Sequence, residues 1–280
     1  RRSRTLRCVL RPCRAEAFAM IGVFDSGLGG LTVLASIARS LPQADLTYLA
    51  DTAHVPYGSK TEGFIRGRVV AIGEHLVDHG CGVLVVACNT ATVAAVRALR
   101  ERFPQMPIVG VEPGVKPAAA SSRTKRIAVL ATEATAGSAR LASLIREHAG
   151  NVEVMVEACP GWATRVEALD FDDPGFRQEI ASHVEPLLAA GADRLVLGCT
   201  HYSFLEPVLA PLVCGRAELV DVADAVARQC LRLAGSAAMG TGRLHLQATA
   251  RPERLRAALP GLGLGWLTGR QAGAATLATA

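Results

Sequence analysis

The chain has 280 residues, half of them apolar and only 4% aromatic, so Ala, Val and Leu must supply its core, which suits layered α/β packing better than an aromatic-rich β-sandwich. The formal net charge of +5 resides wholly in residues 1–19, which carry six arginines against the single acid Glu16; the neutral remainder has no global basic surface to steer it to nucleic acid or an anionic membrane. No apolar run approaches the ~20 residues of a membrane span, and eight cysteines without one CxxC pair argue against a disulfide framework or zinc site and for free thiols in a reducing cytoplasm.

Residues 1–19 are Arg-rich and lack the apolar stretch of a secretory signal; they are expected to be an unstructured extension, with Met20 as the natural start. From there, short apolar runs alternate with stretches of helical periodicity. Strands are expected at Ile21–Phe24, Thr47–Ala50, Val83–Ala87, Ile108–Val111, Ile127–Leu130, Val152–Val156, Leu195–Leu197 and Glu218–Val222. Helical patterns cover Gly30–Ser40, Gly63–Gly80, Thr92–Phe103, Ser138–Ala149 and Asp173–Ala190. Strand–helix alternation predicts parallel sheets, and continuous apolar runs predict strands covered on both faces. Four strand-and-loop segments return later in the chain at offsets of 106, 106, 111 or 112, and 110 residues, as in Val83-Leu-Val-Val-Ala-Cys-Asn-Thr and Leu195-Val-Leu-Gly-Cys-Thr-His. The offsets predict two similar α/β halves, with chance likeness of buried strands as the alternative. The segment after about residue 240 carries no pattern that places it.

Ligands of open parallel sheets bind beyond the carboxyl ends of the strands, and the polar motifs fall there. Asp25-Ser26-Gly27-Leu28-Gly29-Gly30 is a strand-to-helix turn that lacks both the Gly-Lys-Ser/Thr of a P-loop and the GxGxxG spacing. Asp25 or Ser26 could cap the following helix, and Asp25 could equally accept from a substrate ammonium. The Pro56-Tyr57-Gly58 segment follows Asp51-Thr52-Ala53 and by itself signals only a turn. Cys88-Asn89-Thr90 and Cys199-Thr200-His201 each end an apolar strand. A lone cysteine in that place is usually packing; two at matched strand ends suggest paired acid/base groups. A thiol titrates near enough to neutrality to work in either form, so two of them on opposite sides of one carbon could exchange its proton. His201, otherwise a structural histidine, is placed to stabilise a neighbouring thiolate. Pyridoxal phosphate would need a Schiff-base lysine, and none of Lys60, Lys116 and Lys125 stands in a persuasive position, which favours a cofactor-free route.

Taken together, Phe24–Gly30, Asp51-Thr52-Ala53 with Pro56-Tyr57-Gly58, Ala87-Cys88-Asn89-Thr90-Ala91, Gly110-Val111-Glu112-Pro113, Ala158-Cys159-Pro160 and Gly198-Cys199-Thr200-His201-Tyr202 resemble the glutamate racemase family, in family order from residue 21 to about residue 230. The resemblance implies two pseudo-symmetric domains, each a mostly parallel sheet flanked by helices, with the active site in the cleft between them. The division expected is 20–116 plus 221–280 for the first domain and 117–220 for the second. It also implies cofactor-independent interconversion of L- and D-glutamate, supplying D-glutamate for peptidoglycan, by a cytoplasmic enzyme. Cys88 and Cys199 match the catalytic cysteines. Asp25, Ser26, Tyr57, Gly58, Asn89, Thr90, Thr200 and His201 match the substrate-binding residues, with Asp25 and His201 able to assist the thiols. Neither metal nor cofactor is expected, the partners being glutamate and a second copy in a homodimer, without nucleic acid or membrane. Ser203, Gly161-Trp162-Ala163-Thr164 and Ala139-Arg140-Leu141 depart from the family pattern, which bears on cleft shape and domain packing. The rival readings are an aspartate or hydantoin racemase, and a binding protein that kept the fold.

Overall fold

A computed structural model describes residues 20–171 and 173–280; the expectation for residues 1–19 lies outside them. The strands are β1 (Met20–Asp25), β2 (Asp45–Ala50), β3 (Cys81–Val86), β4 (Ile108–Gly110), β5 (Arg126–Ala131), β6 (Glu153–Ala158), β7 (Arg194–Leu197), β8 (Glu218–Val220), β9 (Leu244–Ala248) and β10 (Thr276–Leu277). Among them run α1 (Leu31–Ser40), α2 (Glu62–Asp78), α3 (Asn89–Arg102), α4 (Val115–Ser121), α5 (Glu133–Ala136), α6 (Ala139–His148), α7 (Trp162–Glu167), α8 (Pro174–Ala189), α9 (Glu206–Val213), α10 (Ala223–Leu233) and α11 (Pro252–Gly261).

Two parallel sheets result, in the orders β10-β9-β2-β1-β3-β4 and β6-β5-β7-β8. The run β2-β1-β3-β4 therefore has the same order as β6-β5-β7-β8, so the echo in the sequence is an echo in topology. Strand period explains why the runs are apolar throughout. Ile21, Val23, Val83 and Val85 face one core, while Phe24, Leu84 and Val86 face another on the opposite side of the sheet. The second sheet divides Leu130 and Leu197 from Val129 and Val196 in the same way. Both faces are dry, so alternation of polarity disappears.

The eight expected strands are present with ends shifted by up to two residues at most boundaries. The carboxy-terminal segment, left unplaced above, adds β9 beside β2 and β10 beside β9. Its β9 does alternate, with Leu244, Leu246 and Ala248 buried and His245 and Gln247 half-buried. Among the described residues no helix is long and apolar enough to cross a membrane.

Candidate active site

The carboxyl ends of β1 and β3 in the first sheet and of β7 in the second converge on one place. Asp25, the last residue of β1, is completely buried. Its Oδ1 accepts from Ser26 Oγ at 2.8 Å and from the Gly27 amide at 3.1 Å, and its Oδ2 accepts from Thr200 Oγ1 of the opposite lobe at 3.1 Å. Among the described residues it has no cationic partner, an expensive state for a buried carboxylate that a ligand ammonium would relieve. Asp25 and Ser26 do not cap α1, contrary to one of the two expectations for this turn; the N-cap is Gly30, without a side-chain bond. The carboxylate is used inside the turn and across the cleft instead.

The glycines of the turn are there for close approach. A Cβ on Gly29 would lie 2.4 Å from His201 Nδ1, and one on Gly27 would lie 2.0 Å from Glu167 Oε1. The lobes approach closely at this turn, and a side chain would hold them apart.

Cys88 is the extended N-cap residue of α3, which begins at Asn89, earlier than the periodicity implied. Asn89 and Thr90 accordingly occupy the first turn, among the free amides of a helix start. Cys88 Sγ lies 3.8 Å from Ser26 Oγ and is only 6% exposed. Burial pushes this thiol up, and the charges of Asp25 and Cys199 push it further, against hydrogen bonds from the Ala91 and Ser26 amides. Both polar side-chain atoms of Asn89 are buried without a partner among the described residues. Thr90 Oγ1 meets Thr132 and Thr135 of the second lobe at 3.0 and 3.3 Å.

Cys199 is likewise an extended N-cap residue and 6% exposed, here before a 3₁₀ turn over Thr200–Leu205. Its Sγ is 3.6 Å from His201 Nδ1, and His201 Nε2 is 2.6 Å from Glu167 Oε1. Burial works against a charged His201 ring, but hydrogen bonds to Cys199 and Glu167 and the charges of both outweigh it and hold the imidazole above its ordinary range. His201 is therefore not a lone structural histidine. The same Glu167 oxygen accepts from the Leu28 amide at 2.6 Å, a further bond between the lobes.

Nothing in the sequence flagged Glu167. It ends the short helix α7, whose Trp162 and Val166 are completely buried. Trp162 packs against Tyr202 and edge-on against Phe176. The departure at Gly161-Trp162-Ala163-Thr164 is thus an aromatic anchor that fixes where Glu167 points. Ser203, the second departure, bonds Asp221, and Arg140, the third, pairs with Glu112.

Tyr57 and Gly58 lie on a one-turn 3₁₀ helix after β2. The Tyr57 phenol donates to Asp51 Oδ2 at 2.6 Å, and a Cβ on Gly58 would stand 3.1 Å from Thr132 Cβ. The turn therefore rests against the second lobe. All eight expected binding residues and both cysteines lie at these facing strand ends. Thr132, Thr135 and Glu167 join them, from α5 and its N-cap and from the end of α7, through contacts that span 34 to 139 residues of sequence.

The Asp/Glu/Hydantoin racemase family matches residues 21–230. A glutamate racemase of Pseudomonas putida is 48% identical over 250 residues, 88% of this chain and 94% of that protein. One from Ectopseudomonas mendocina is 51% identical over 220 residues, 79% of this chain and 84% of that one. Among solved structures, Escherichia coli glutamate racemase in complex with L-glutamate and the activator UDP-MurNAc-ala superposes with a TM-score of 0.79 at 30% identity, covering 92% of this chain and 97% of that one.

Proposed function

The chain belongs to the glutamate racemases of the Asp/Glu/hydantoin racemase family, and from that premise we propose that it interconverts L- and D-glutamate without a cofactor, using the thiols of Cys88 and Cys199. One sulfur, as thiolate, removes the Cα proton from one face; the other, as thiol, delivers a proton to the opposite face. Reversal exchanges the roles, and the pair returns to its starting protonation only after the reverse turnover or after proton exchange with solvent. The observation that carries this reading is the placement of two cysteines at equivalent strand ends, each an N-cap residue, each with a polar neighbour reaching its sulfur.

The remaining groups support the same chemistry. Asp25, buried without a cationic partner among the described residues, suits the substrate ammonium, and the arrival of that cation lowers the cost of a nearby thiolate. Asn89, its amide unpartnered, together with Ser26, Thr90, Thr200 and the Tyr57–Gly58 turn, supplies neutral donors for the two carboxylates. His201, whose imidazole Cys199 and Glu167 hold above its ordinary range against burial, can exchange a proton with Cys199. The reaction needs reduced thiols, and the six cysteines described are all free; we place it in the cytoplasm, where D-glutamate would feed peptidoglycan synthesis. We further propose a homodimer, to be checked by sedimentation, and a division into domains at 20–116 with 221–280 and 117–220, to be checked by limited proteolysis.

The deciding experiment follows the circular dichroism of L-glutamate with wild type, Cys88→Ser and Cys199→Ser. Wild type should racemise it, and each variant should fall by about a thousandfold or more, as expected when one member of a cooperating pair is lost. Full activity in either variant would refute the two-thiol assignment. Faster turnover of aspartate than of glutamate would refute the substrate.

A further inference from the structure

Asp51 stands one residue beyond β2 and is completely buried, and it touches neither sulfur in the hydrogen-bond network just described. Five donors nevertheless converge on its carboxylate. Arg68 of α2 approaches in a two-pronged fashion, Nε to Oδ2 at 2.9 Å and Nη2 to Oδ1 at 2.9 Å. Tyr57 donates to Oδ2 at 2.6 Å, Thr249 to Oδ1 at 2.7 Å, and His54 Nδ1 lies 3.1 Å from Oδ1. The donors come from three parts of the chain separated by up to 198 residues. Buried carboxylates held this way are rigid, because every lone pair has a partner and the fork fixes the plane of the group.

Thr249 reaches Asp51 because β9 lies beside β2 in register, with Ala248 opposite Ala50. The two strand ends are stitched together beyond that register. The Thr249 amide donates to the Ala50 carbonyl at 3.0 Å, and the Ala53 amide donates to Thr249 Oγ1 at 3.0 Å. Thr52 Oγ1 and Ala250 exchange hydrogen bonds in both directions. Thr249 lies outside the residues 21–230 that the family match spans.

We propose that Arg68 and Thr249 are positioning residues for the reaction: by gripping Asp51 they hold the phenol of Tyr57, and with it the Tyr57–Gly58 turn, against Thr132 of the opposite lobe. The end of β9 is then part of the working site through its grip on Asp51. The proposal rests on the reading that Tyr57 and Gly58 line the glutamate site. Loss of one hydrogen bond to a buried charge should loosen the turn and act on substrate binding before it acts on proton transfer.

The test compares wild type with Thr249→Val, Thr249→Ser, Tyr57→Phe and the Thr249→Val/Tyr57→Phe pair, reading racemisation kinetics and hydrogen exchange of the amides over residues 51–59. Thr249→Val should raise KM for L-glutamate about tenfold with kcat within about threefold, and should speed exchange across the turn. Thr249→Ser, which keeps the hydroxyl, should behave as wild type. On the Tyr57→Phe background the valine should add less than about twofold, because the path from Thr249 to the turn is already cut. Should the valine variant fail to melt cooperatively, Arg68→Lys takes its place: it keeps the charge but not the fork, and must raise KM and loop exchange. Wild-type loop exchange in the variant, or an undiminished effect on the Tyr57→Phe background, overturns the proposal. A wild-type protein that orders this loop but does not racemise glutamate overturns the functional reading instead.

Discussion

Asn89 shows how a residue can be costly to the fold and useful to the site. Its amide is buried at the head of α3 with neither nitrogen nor oxygen satisfied. A buried polar group left without a partner costs about 1–3 kcal/mol, a penalty that a substrate would relieve in part, its carboxylate accepting from the amide nitrogen. Asn89→Ala should therefore leave thermal stability within about 1 kcal/mol of wild type or above it, while KM for glutamate rises by about tenfold or more. Calorimetry and initial rates on the same preparation decide the matter. A variant that is markedly less stable but kinetically normal would make Asn89 a structural residue. The contrast with Asp51 is instructive, since both are buried polar side chains beside strand ends. Asp51 has all its partners within the protein and so is free to position; Asn89 has none and so is free to bind.

At the scale of elements, the turn from β1 into α1 is where the first sheet meets the second lobe. Gly30 lies where a Cβ would be 2.7 Å from Asp25 Cβ and 3.0 Å from both Ala87 Cβ and the Tyr48 hydroxyl. All three neighbours are buried and none is the far end of a flexible chain. Gly30→Ala should cost about 1–3 kcal/mol, the usual penalty of overpacking, and should depress activity because Asp25 must move. Gly63, early in α2, has nothing within 4 Å of the same hypothetical atom; Gly63→Ala should be neutral or stabilising by up to about 1 kcal/mol through helix propensity. Urea titrations of the two variants side by side provide the check, and equal losses would show that crowding at the turn is not what requires glycine. The matching N-caps of α3 and of the turn after Cys199 follow a common rule: a strand ends, one extended residue carries the sulfur, and the chain winds immediately, presenting free amides next to it.

Across the whole molecule, acid should act on both lobes through carboxylates anchored in each. Asp51 in the first is raised by burial but brought below the usual carboxylate range by the donors from Arg68, Tyr57, Thr249 and His54. Asp193 in the second is raised by burial but brought down by Ser122 and by the amides of Arg123 and Thr124, which lie 2.7, 2.6 and 3.1 Å away. A carboxyl whose folded value is depressed stabilises the fold at pH above its unfolded value, near 3.9, and that contribution is lost as pH falls through the folded value. Urea midpoints should thus be level above about pH 5 and fall steeply below about pH 4. Asp193→Asn should lower the plateau and flatten the acid limb. An acid limb as steep in the variant as in wild type would mean that Asp193 carries none of it.

Much of this architecture was written locally. Continuous Val, Leu and Ala runs specify buried parallel strands because both faces of each sheet are dry, and the repeat offsets specify two like halves because equivalent strands carry equivalent loops. Cys88 and Cys199 with their polar followers were legible for the same reason: strand-end chemistry sits in contiguous motifs. What only the folded molecule decided are the contacts made across the cleft or between distant strands. Glu167 meets His201 and Leu28 because an aromatic anchor aims α7, and Asp51 meets Thr249 because β9 returns to β2 after nearly two hundred residues. Neither relation leaves a periodicity or a spacing in the chain, since hydrogen bonds between side chains far apart in sequence depend on where packing brings the backbones, not on the residues that lie beside them.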